Sequence, residues 1–245
     1  DVARAQGNLD QAAKAYRDSL TIAKSLAASD PGNTQWQRDL SVSHNNLGDV
    51  AVAQGKLDQA AQAYRDGLTI AKSLAASDPG NTDWQRDLSI SYERLGDVAV
   101  AQGQLDQAAQ AYRDDLTIAK SLAASDPGNT QWQRDLSVSH NKLGDVARAQ
   151  GKLDQAAQAY RDGLTIRTQL AASDPGNTDW QRDLWVSYWK LADLAERQKH
   201  ISEARGYWKE AFEILSGIDK QGLHLSPEDR EFLDTLRQKT GLDAR

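Results

Sequence analysis

The most constraining feature of this sequence is an internal repeat with a period of 48 residues. Its motif is DVAxAQGxLDQAAxAYRDxLTIAKSLAASDPGNTxWQRDLSxSxxxLG. The copies begin at Asp1, Asp49 and Asp97, and a more divergent copy begins at Asp145. Only seven of 48 positions differ between residues 49–96 and 97–144, which indicates a recent duplication. A fixed period of this size is typical of a stacked array, in which each repeat buries its apolar face against its neighbours.

Each repeat carries two helical patterns. In the first, Trp84, Leu88, Tyr92, Leu95 and Ala99 follow one another at spacings of four or three residues, as the apolar stripe of an α-helix does. We predict that each first helix begins at a threonine whose hydroxyl caps it while a glutamine three residues later reaches back. These capping pairs are Thr34/Gln37, Thr82/Gln85, Thr130/Gln133 and Thr178/Gln181.

The second pattern of the repeat starts at Leu105 and ends in the segment SDPGN, residues 125–129. Proline stops a helix because it lacks the backbone N–H, and the following glycine permits a turn. Two antiparallel helices per repeat are therefore expected.

The segment GDVAVAQGKL, residues 48–57, raises the alternative of a phosphate-binding loop. That loop requires G-x-x-x-x-G-K-S/T between a strand and a helix, so that backbone N–H groups point at the phosphates. Here the glycines are seven residues apart, Leu57 follows the lysine, and no strand pattern precedes them. We therefore expect Gly96 and its equivalents to permit close helix contact, and Gly103 and its equivalents to lie where the chain reverses.

Composition argues against several classes of function. With 29 Lys and Arg against 35 Asp and Glu, the net charge is -6, which argues against a binder of nucleic-acid backbones. The absence of cysteine excludes disulfides, a thiol nucleophile and cysteine-ligated zinc. No apolar run approaches the roughly 18 residues of a membrane span, and the first residues lack the apolar core of a signal peptide. We expect a cytoplasmic protein with neither nucleic-acid nor membrane partners.

The histidines and serines do not form a recognisable catalytic or metal site in the sequence. The histidines are His44, His140, His200 and His224. His44 and His140 occupy equivalent positions two repeats apart, too far to share a metal, and no ligand motif accompanies them. Ser41 and Ser43 stand next to His44, but nothing supplies an orienting group and an oxyanion hole. No cofactor, metal or enzymatic activity is expected.

With these residues in view, the chain resembles the tetratricopeptide repeat (TPR) family. Leu95-Gly96 in the first helix, Gly103 in the turn, Ala108 early in the second helix and Tyr112 four residues later match the family signature. The usual repeat has about 34 residues. The period of 48 residues adds fourteen, which lengthens each helix by about two turns. The chain thus looks like an elongated variant, similar to kinesin-light-chain-like arrays.

The resemblance implies an all-α fold: a right-handed α-solenoid of antiparallel helix pairs, or TPR-like superhelix, with a C-terminal capping helix. Residues 1–217 would form the array, with repeats at 1–48, 49–96, 97–144 and 145–192 and a degenerate last one. Residues 218–245 would form a linker and the capping helix. Because the pattern starts in mid-repeat, we interpret the chain as a fragment of a longer protein.

Rows of residues opposite the apolar stripe are the candidate binding surface, because the family presents this helix face on its concave side. Two rows are constant: Arg38, Arg86, Arg134 and Arg182, and Asp49, Asp97, Asp145 and Asp193. Two rows vary: Asn45, Glu93, Asn141 and Trp189, and Val52, Val100, Arg148 and Glu196. Constant rows suit structural ladders, whereas varied rows are either tuned for binding or drifting.

Two interpretations of these rows stay open. They form either a solvated polar face or a groove that binds a peptide or partner helix. Chaperone-type arrays that clamp a carboxylate carry Leu-Gly-Asn, whereas this chain has Leu-Gly-Asp, so capture of an acidic C-terminus is disfavoured. A row of aspartates favours a basic or mixed-charge partner.

The last repeat concentrates aromatic residues. Trp185 and Trp189 stand where an earlier copy has Ser137 and Asn141. A final helix is predicted to start at the SPED segment, residues 226–229, because serine caps and proline favours the first helical position. Its apolar residues are Phe232, Leu233 and Leu236. This end is either a terminal cap that shields the core or an aromatic binding pocket.

The resemblance implies a non-catalytic scaffold that binds a protein or peptide of unknown identity on the concave face. A second hypothesis is a sensor or regulatory arm of a larger bacterial effector, whose protease-like or nucleotide-hydrolysing domain lies outside this sequence. A third is self-association through the incomplete first repeat, which would leave Leu9, Tyr16 and Leu20 partly uncovered.

Overall fold

The computed structural model describes residues 8–222 and 225–240, and these residues form ten α-helices and no strand. The helices are α1 (Leu9–Ser29), α2 (Thr34–Ala53), α3 (Leu57–Ser77), α4 (Thr82–Ala101), α5 (Leu105–Ser125), α6 (Thr130–Ala149), α7 (Leu153–Ser173), α8 (Thr178–Arg197), α9 (Ile201–Lys220) and α10 (Pro227–Thr240). None of these helices is both long and apolar enough to cross a membrane. The predicted starts at Asp1 and the histidine at position 224 lie outside the described residues.

The helices group into two compact units, α1–α5 and α6–α10. Within each unit, every helix packs on the helix before it and the helix after it. Because short turns join consecutive helices, each repeat contributes an antiparallel pair. The fold is the predicted all-α solenoid of helix pairs, and α10 packs on α9 at the C-terminal end.

The glycine of each helical hairpin adopts a left-handed conformation. Gly55, Gly103 and Gly151 have φ angles of 73°, 73° and 74°. The reversal is closed by a hydrogen bond from the next backbone N–H, as from Gln104 to the Ala99 carbonyl at 2.8 Å. An L side chain is strained at such a φ, yet Lys199 occupies this position in the last hairpin with φ 63°. The predicted turn role of these glycines is confirmed.

A second set of glycines allows a tyrosine to lie flat against the first helix. A methyl group added at Gly96 would lie 2.7 Å from Cδ1 and 2.8 Å from Cζ of Tyr112, a separation that real contacts do not show. Gly48 with Tyr64 and Gly144 with Tyr160 repeat the arrangement. The glycine pairs therefore serve helix packing, as predicted, and Leu20 of the first repeat is buried rather than uncovered.

The first helices are capped one residue earlier than the capping-box prediction placed the cap. The Asn81 side chain accepts a hydrogen bond from the Trp84 backbone N–H at 3.1 Å, and Thr82 is the first helical residue. Gln85 does not reach back to the cap; its amide donates to the Ala75 carbonyl at 3.2 Å. Asparagine ranks above threonine as an N-cap, which explains the shift. The same arrangement caps the other first helices, at Asn33, Asn129 and Asn177.

Replacing Asn81 with alanine is expected to lower the free energy of unfolding of the α1–α5 unit by about 1 kcal/mol, because the Trp84 N–H loses its acceptor. Replacing Thr82 with alanine serves as the matched control, and we expect a clearly smaller change. Urea denaturation followed by circular dichroism measures both. Equal losses in the two variants would return the cap to Thr82.

Candidate functional site

The constant arginine row joins each first helix to the first helix of the next repeat. Arg38 Nε donates to Asp87 at 2.5 Å, and Arg134 Nε donates to Asp183 at 2.8 Å. The aspartate hydrogen bond raises the pKa of both arginines above the usual value. Within the α6–α10 unit, Arg182 lies 3.4 Å from Asp229 of α10. These contacts form the structural ladder that a constant row suits.

The constant aspartate row is also engaged inside the array. Asp49 accepts hydrogen bonds from the Tyr64 hydroxyl at 2.8 Å and from Arg94 Nη1 at 2.6 Å. Burial, together with the contact to Asp49, raises the pKa of Tyr64. These carboxylates therefore do not present free negative charge to a basic partner, contrary to the expectation from the row alone.

The other two members of the aspartate row bind the equivalent tyrosines. Asp97 accepts a hydrogen bond from the Tyr112 hydroxyl at 2.5 Å. Asp145 accepts one from Tyr160 at 2.7 Å and one from Lys190 Nζ at 2.5 Å. The tyrosine that packs on the glycine thus also anchors the aspartate, so each repeat uses one side chain for two internal contacts.

The candidate asparagines are buried between helices. Asn45 is 8% exposed, and its side-chain amide donates to Ser91 Oγ at 3.4 Å. With its amide oxygen directed at Arg167, Asn141 accepts hydrogen bonds from that guanidinium at 2.7 and 2.9 Å. Neither asparagine is accessible to a partner in this conformation.

Arg167 is a buried charged residue that the sequence patterns did not single out. Its guanidinium donates to Ser137 Oγ at 3.2 Å, the Asp183 carbonyl at 2.8 Å and Ser187 Oγ at 2.9 Å. Burial lowers the pKa of Arg167. The available signal was that the other copies place alanine here, at positions 23, 71 and 119. The side chain bridges α6 and α8, so it stabilises the contact between two first helices.

The remaining candidates differ in their exposure. Val52 and Val100 are 40% and 41% exposed near the ends of α2 and α4. Glu93 and Arg86 are half-buried on α4. Arg148 Nη1 lies 3.1 Å from Asp193, and Trp189 packs edge-on against Phe232 of α10.

An apolar row beside the candidates completes the open side of the first helices. Val42 is 44% exposed, and Ile90 occupies the equivalent position on α4, where it is half-buried. The sequence analysis did not select this row, because its rotation about the helix was taken from the apolar stripe alone. The structure turns the rows of Asn45 and Asp49 toward the next repeat and leaves Val42 facing outward.

His44 lies in a buried position between α1, α2 and α3. Its Nδ1 atom is 3.7 Å from Asp66 Oδ2, too long for a hydrogen bond, and has no hydrogen-bond partner among the described residues. Burial lowers the pKa of His44, and Lys24 lowers it further, while Asp66 opposes them. The alternate repeat has Tyr92 here, with Lys72 Nζ 4.9 Å from the ring centroid.

Acidification from about pH 7.5 to about pH 5.5 is expected to destabilise the α1–α5 unit through His44. The folded-state pKa lies below the unfolded-state value, so the unfolded chain binds more protons and stability falls as the pH drops through this range. The variant His44→Tyr copies the alternate repeat and is expected to show a smaller loss. Urea midpoints at both pH values measure the difference. Identical pH dependence in the two chains would exclude a role for His44.

Among the described residues, no group of three or more His, Asp or Glu side chains is arranged to hold a metal ion. The sequence comparisons point in the direction of the repeat signature. The profile of the tetratricopeptide repeat family matches residues 42–74 and 138–169, which correspond to α2–α3 and α6–α7. No curated protein sequence matches the chain significantly.

Solved structures with similar folds include several repeat arrays. BtubC (BKLC) from P. vanneervenii superposes with a TM-score of 0.68 at 20% identity, over 95% of this chain and 84% of its own. A putative kinesin light chain from Podosopora anserina, with nearly identical TPR-like repeats, has a TM-score of 0.66 at 14% identity, over 89% of this chain and 92% of its own. The apo form of RapI has a TM-score of 0.72 at 13% identity, over 99% of this chain and 57% of its own. At these identities the likeness concerns the fold, and the repeats are of the TPR-like type.

Proposed function

We propose that this array of tetratricopeptide-like repeats is a non-catalytic scaffold that binds a peptide or partner helix. The binding surface is the open side of α2 and α4, which we call the valine face and define by Val42, Val52, Ile90 and Val100. The observation that carries the proposal is the exposure of aliphatic side chains on this side, while the neighbouring charged rows are engaged in contacts between and within repeats.

Aliphatic exposure at single positions is normal for a protein surface. Here the exposed valines recur at equivalent positions of two first helices, with Val52 on α2 and Val100 on α4. Such spacing offers two apolar contacts to one extended or helical ligand. Because the helices are already formed and held by the ladders, little ordering entropy opposes binding.

Charge on the valine face is left to positions that vary or point outward. Asp83 and Asp97 are exposed on α4, and Glu93 is half-buried beside them. The ladder contacts of Asp49 remove one carboxylate from this set. A partner that presents apolar side chains flanked by a few polar or basic groups fits this surface better than a strongly basic one.

Site-specific photocrosslinking tests the assignment. A photoreactive amino acid placed at Val100 is expected to capture a defined polypeptide from a lysate of the source cell, whereas the same group at Ile201, which is 58% exposed on α9, is not. The captured sequence is then made synthetically and its affinity is measured with purified chains.

The affinity measurement compares a variant of the face with a matched control. Val42→Lys/Val100→Lys is expected to weaken binding by roughly tenfold or more, which corresponds to about 1.4 kcal/mol. Ile22→Lys/Ile201→Lys makes the same chemical change at exposed aliphatic residues elsewhere and is expected to bind as the parent does. Circular dichroism confirms that helicity is retained. Equal weakening in both variants, or in neither, would remove the valine face as the binding site.

A further inference from the structure

The last helix, α10, takes the place that a first helix of a further repeat would occupy. In the α1–α5 unit, Arg38 of one first helix binds Asp87 of the next. At the C-terminal end Arg182 lies at the equivalent position of α8, and its carboxylate partner is Asp229, in the first turn of α10. The ladder contact thus continues onto a helix that lacks the repeat motif.

The surface that α10 covers is aromatic, and we call it the tryptophan platform, defined by Trp185, Trp189 and Trp208. Phe232 of α10 contacts the first two, with ring centroids 5.5 Å from Trp185 and 5.6 Å from Trp189. Leu233 and Leu236 are buried in the same apolar cluster. In an earlier copy, the positions of Trp185 and Trp189 hold serine and asparagine, so the platform is specific to this end.

A basic residue anchors the other end of α10. Lys239 Nζ donates to both Glu196 oxygens, at 2.9 and 2.7 Å, and lies 5.3 Å from the Trp208 ring centroid. The Trp208 indole N–H also donates to Glu196, at 2.9 Å. Opposite charges therefore bracket the platform, with Arg182 at one end and Glu196 at the other.

The fit between α10 and the platform is incomplete. The helix has 14 residues, of which Asp229, Leu233 and Leu236 are buried, whereas α3 buries nine of 21. A helix this short is marginal without its packing partner. Trp185 is 3% exposed, yet its indole N–H has no acceptor among the described residues. An unsatisfied buried donor weakens the complex and favours a ligand that supplies an acceptor.

We propose that the tryptophan platform is a docking site for an amphipathic helix of another protein, and that α10 is its tethered in-chain occupant. Undocking of α10 exposes the platform, which then accepts a helix with the pattern D-x-x-F-L-x-x-L-x-x-K and an acceptor near its aromatic residue. The acidic residue binds Arg182, the apolar residues pack on the tryptophans, and the lysine binds Glu196. This site is separate from the valine face.

Competition in the full-length chain tests the proposal. The probe is a fluorescein-labelled peptide with the sequence SPEDREFLDTLRQKT, residues 226–240, whose binding is measured by fluorescence anisotropy. In the parent chain the tether keeps α10 at an effective concentration on the order of millimolar, which suppresses binding of the probe. The variant Asp229→Lys/Lys239→Glu sets like charges against Arg182 and Glu196, so we expect it to bind the probe roughly tenfold more tightly than the parent does.

Matched controls separate docking from general stickiness. The variant Arg230→Glu/Gln238→Lys alters two exposed residues of α10 and is expected to bind the probe as weakly as the parent does. A probe carrying Phe232→Ala/Leu236→Ala is expected to lose binding to every chain. Absence of probe binding to the undocked variant, with helicity retained, would overturn the proposal.

Hydrogen exchange on the parent chain gives an independent measurement. We expect amides of α10 to exchange roughly tenfold or more faster than those of α9, because α10 opens locally while the repeats stay folded. Equal exchange rates in the two helices would overturn the proposal. A concentration-dependent dimer of the undocked variant, formed in place of the probe complex, would instead make a second copy the occupant and would overturn the assignment of a different protein.

Discussion

Replacing Tyr64 with alanine is expected to lower the free energy of unfolding of the α1–α5 unit by about 3–5 kcal/mol, the range for truncating a large buried aromatic residue. The Tyr64 ring packs against Gly48, and its side chain is 4% exposed. The substitution empties that space and also removes the hydroxyl that donates to Asp49. Urea denaturation of the full chain, followed by circular dichroism, measures the loss.

Two further variants locate the origin of this loss. Tyr64→Phe keeps the ring and removes only the hydroxyl, so we expect a cost of about 1 kcal/mol, because Arg94 still pairs with Asp49. Tyr16→Ala makes the same truncation at the equivalent, half-buried position of α1 and is expected to cost clearly less. A loss at Tyr16 as large as the loss at Tyr64 would mean that the glycine–tyrosine contact is not what holds the hairpin.

The pair Asp49 and Arg94 is expected to couple two adjacent repeats. Arg94→Ala should lower the free energy of unfolding by about 1–3 kcal/mol, because a partly buried carboxylate loses its cation. In a double-mutant cycle with Asp49→Asn, the coupling energy is expected to be about 0.5–3 kcal/mol. The pair is only partly screened by solvent, with side chains 17% and 30% exposed, so we expect the lower half of that range.

An exposed ion pair on one helix is the control for this cycle. Lys209 and Glu213 of α9 are 3.5 Å apart, with side chains 59% and 54% exposed. Their coupling energy is expected to be at most about 0.5 kcal/mol. If the coupling of Asp49 with Arg94 is no larger than this, the aspartate row is not a structural ladder, and its carboxylates return as candidates for binding a basic partner.

The ladders change how the candidate surface is understood. A constant row in a recently duplicated array is compatible with either binding or structure, and Arg38 with Asp87 shows the structural use. Once these charges are assigned to contacts between repeats, the exposed aliphatic residues Val42, Val52 and Val100 remain as the distinctive feature of the open side. Binding experiments should therefore begin with apolar substitutions rather than charge reversals.

Local features were predictable from the sequence because they depend on neighbours within one repeat. The turn at Gly103 and the contact of Gly96 with Tyr112 both follow from a spacing of a few residues and from the helical period. The cap was misplaced by one residue at Thr82, because asparagine and threonine are both N-caps and only the geometry shows that Asn81 accepts the bond.

The sequence by itself determined the period, the helix pairs, the small residues at close contacts and the aromatic character of the last repeat. Only the tertiary structure decided which charged residues are engaged, since their partners are far apart in the chain: 49 residues separate Arg38 from Asp87, and 45 separate Asp49 from Arg94. Such contacts depend on the rotation and offset between helices of different repeats, which the helical period of one helix does not specify. The same geometry turned Asn45 inward, left Val42 outward and placed α10 on the tryptophan platform.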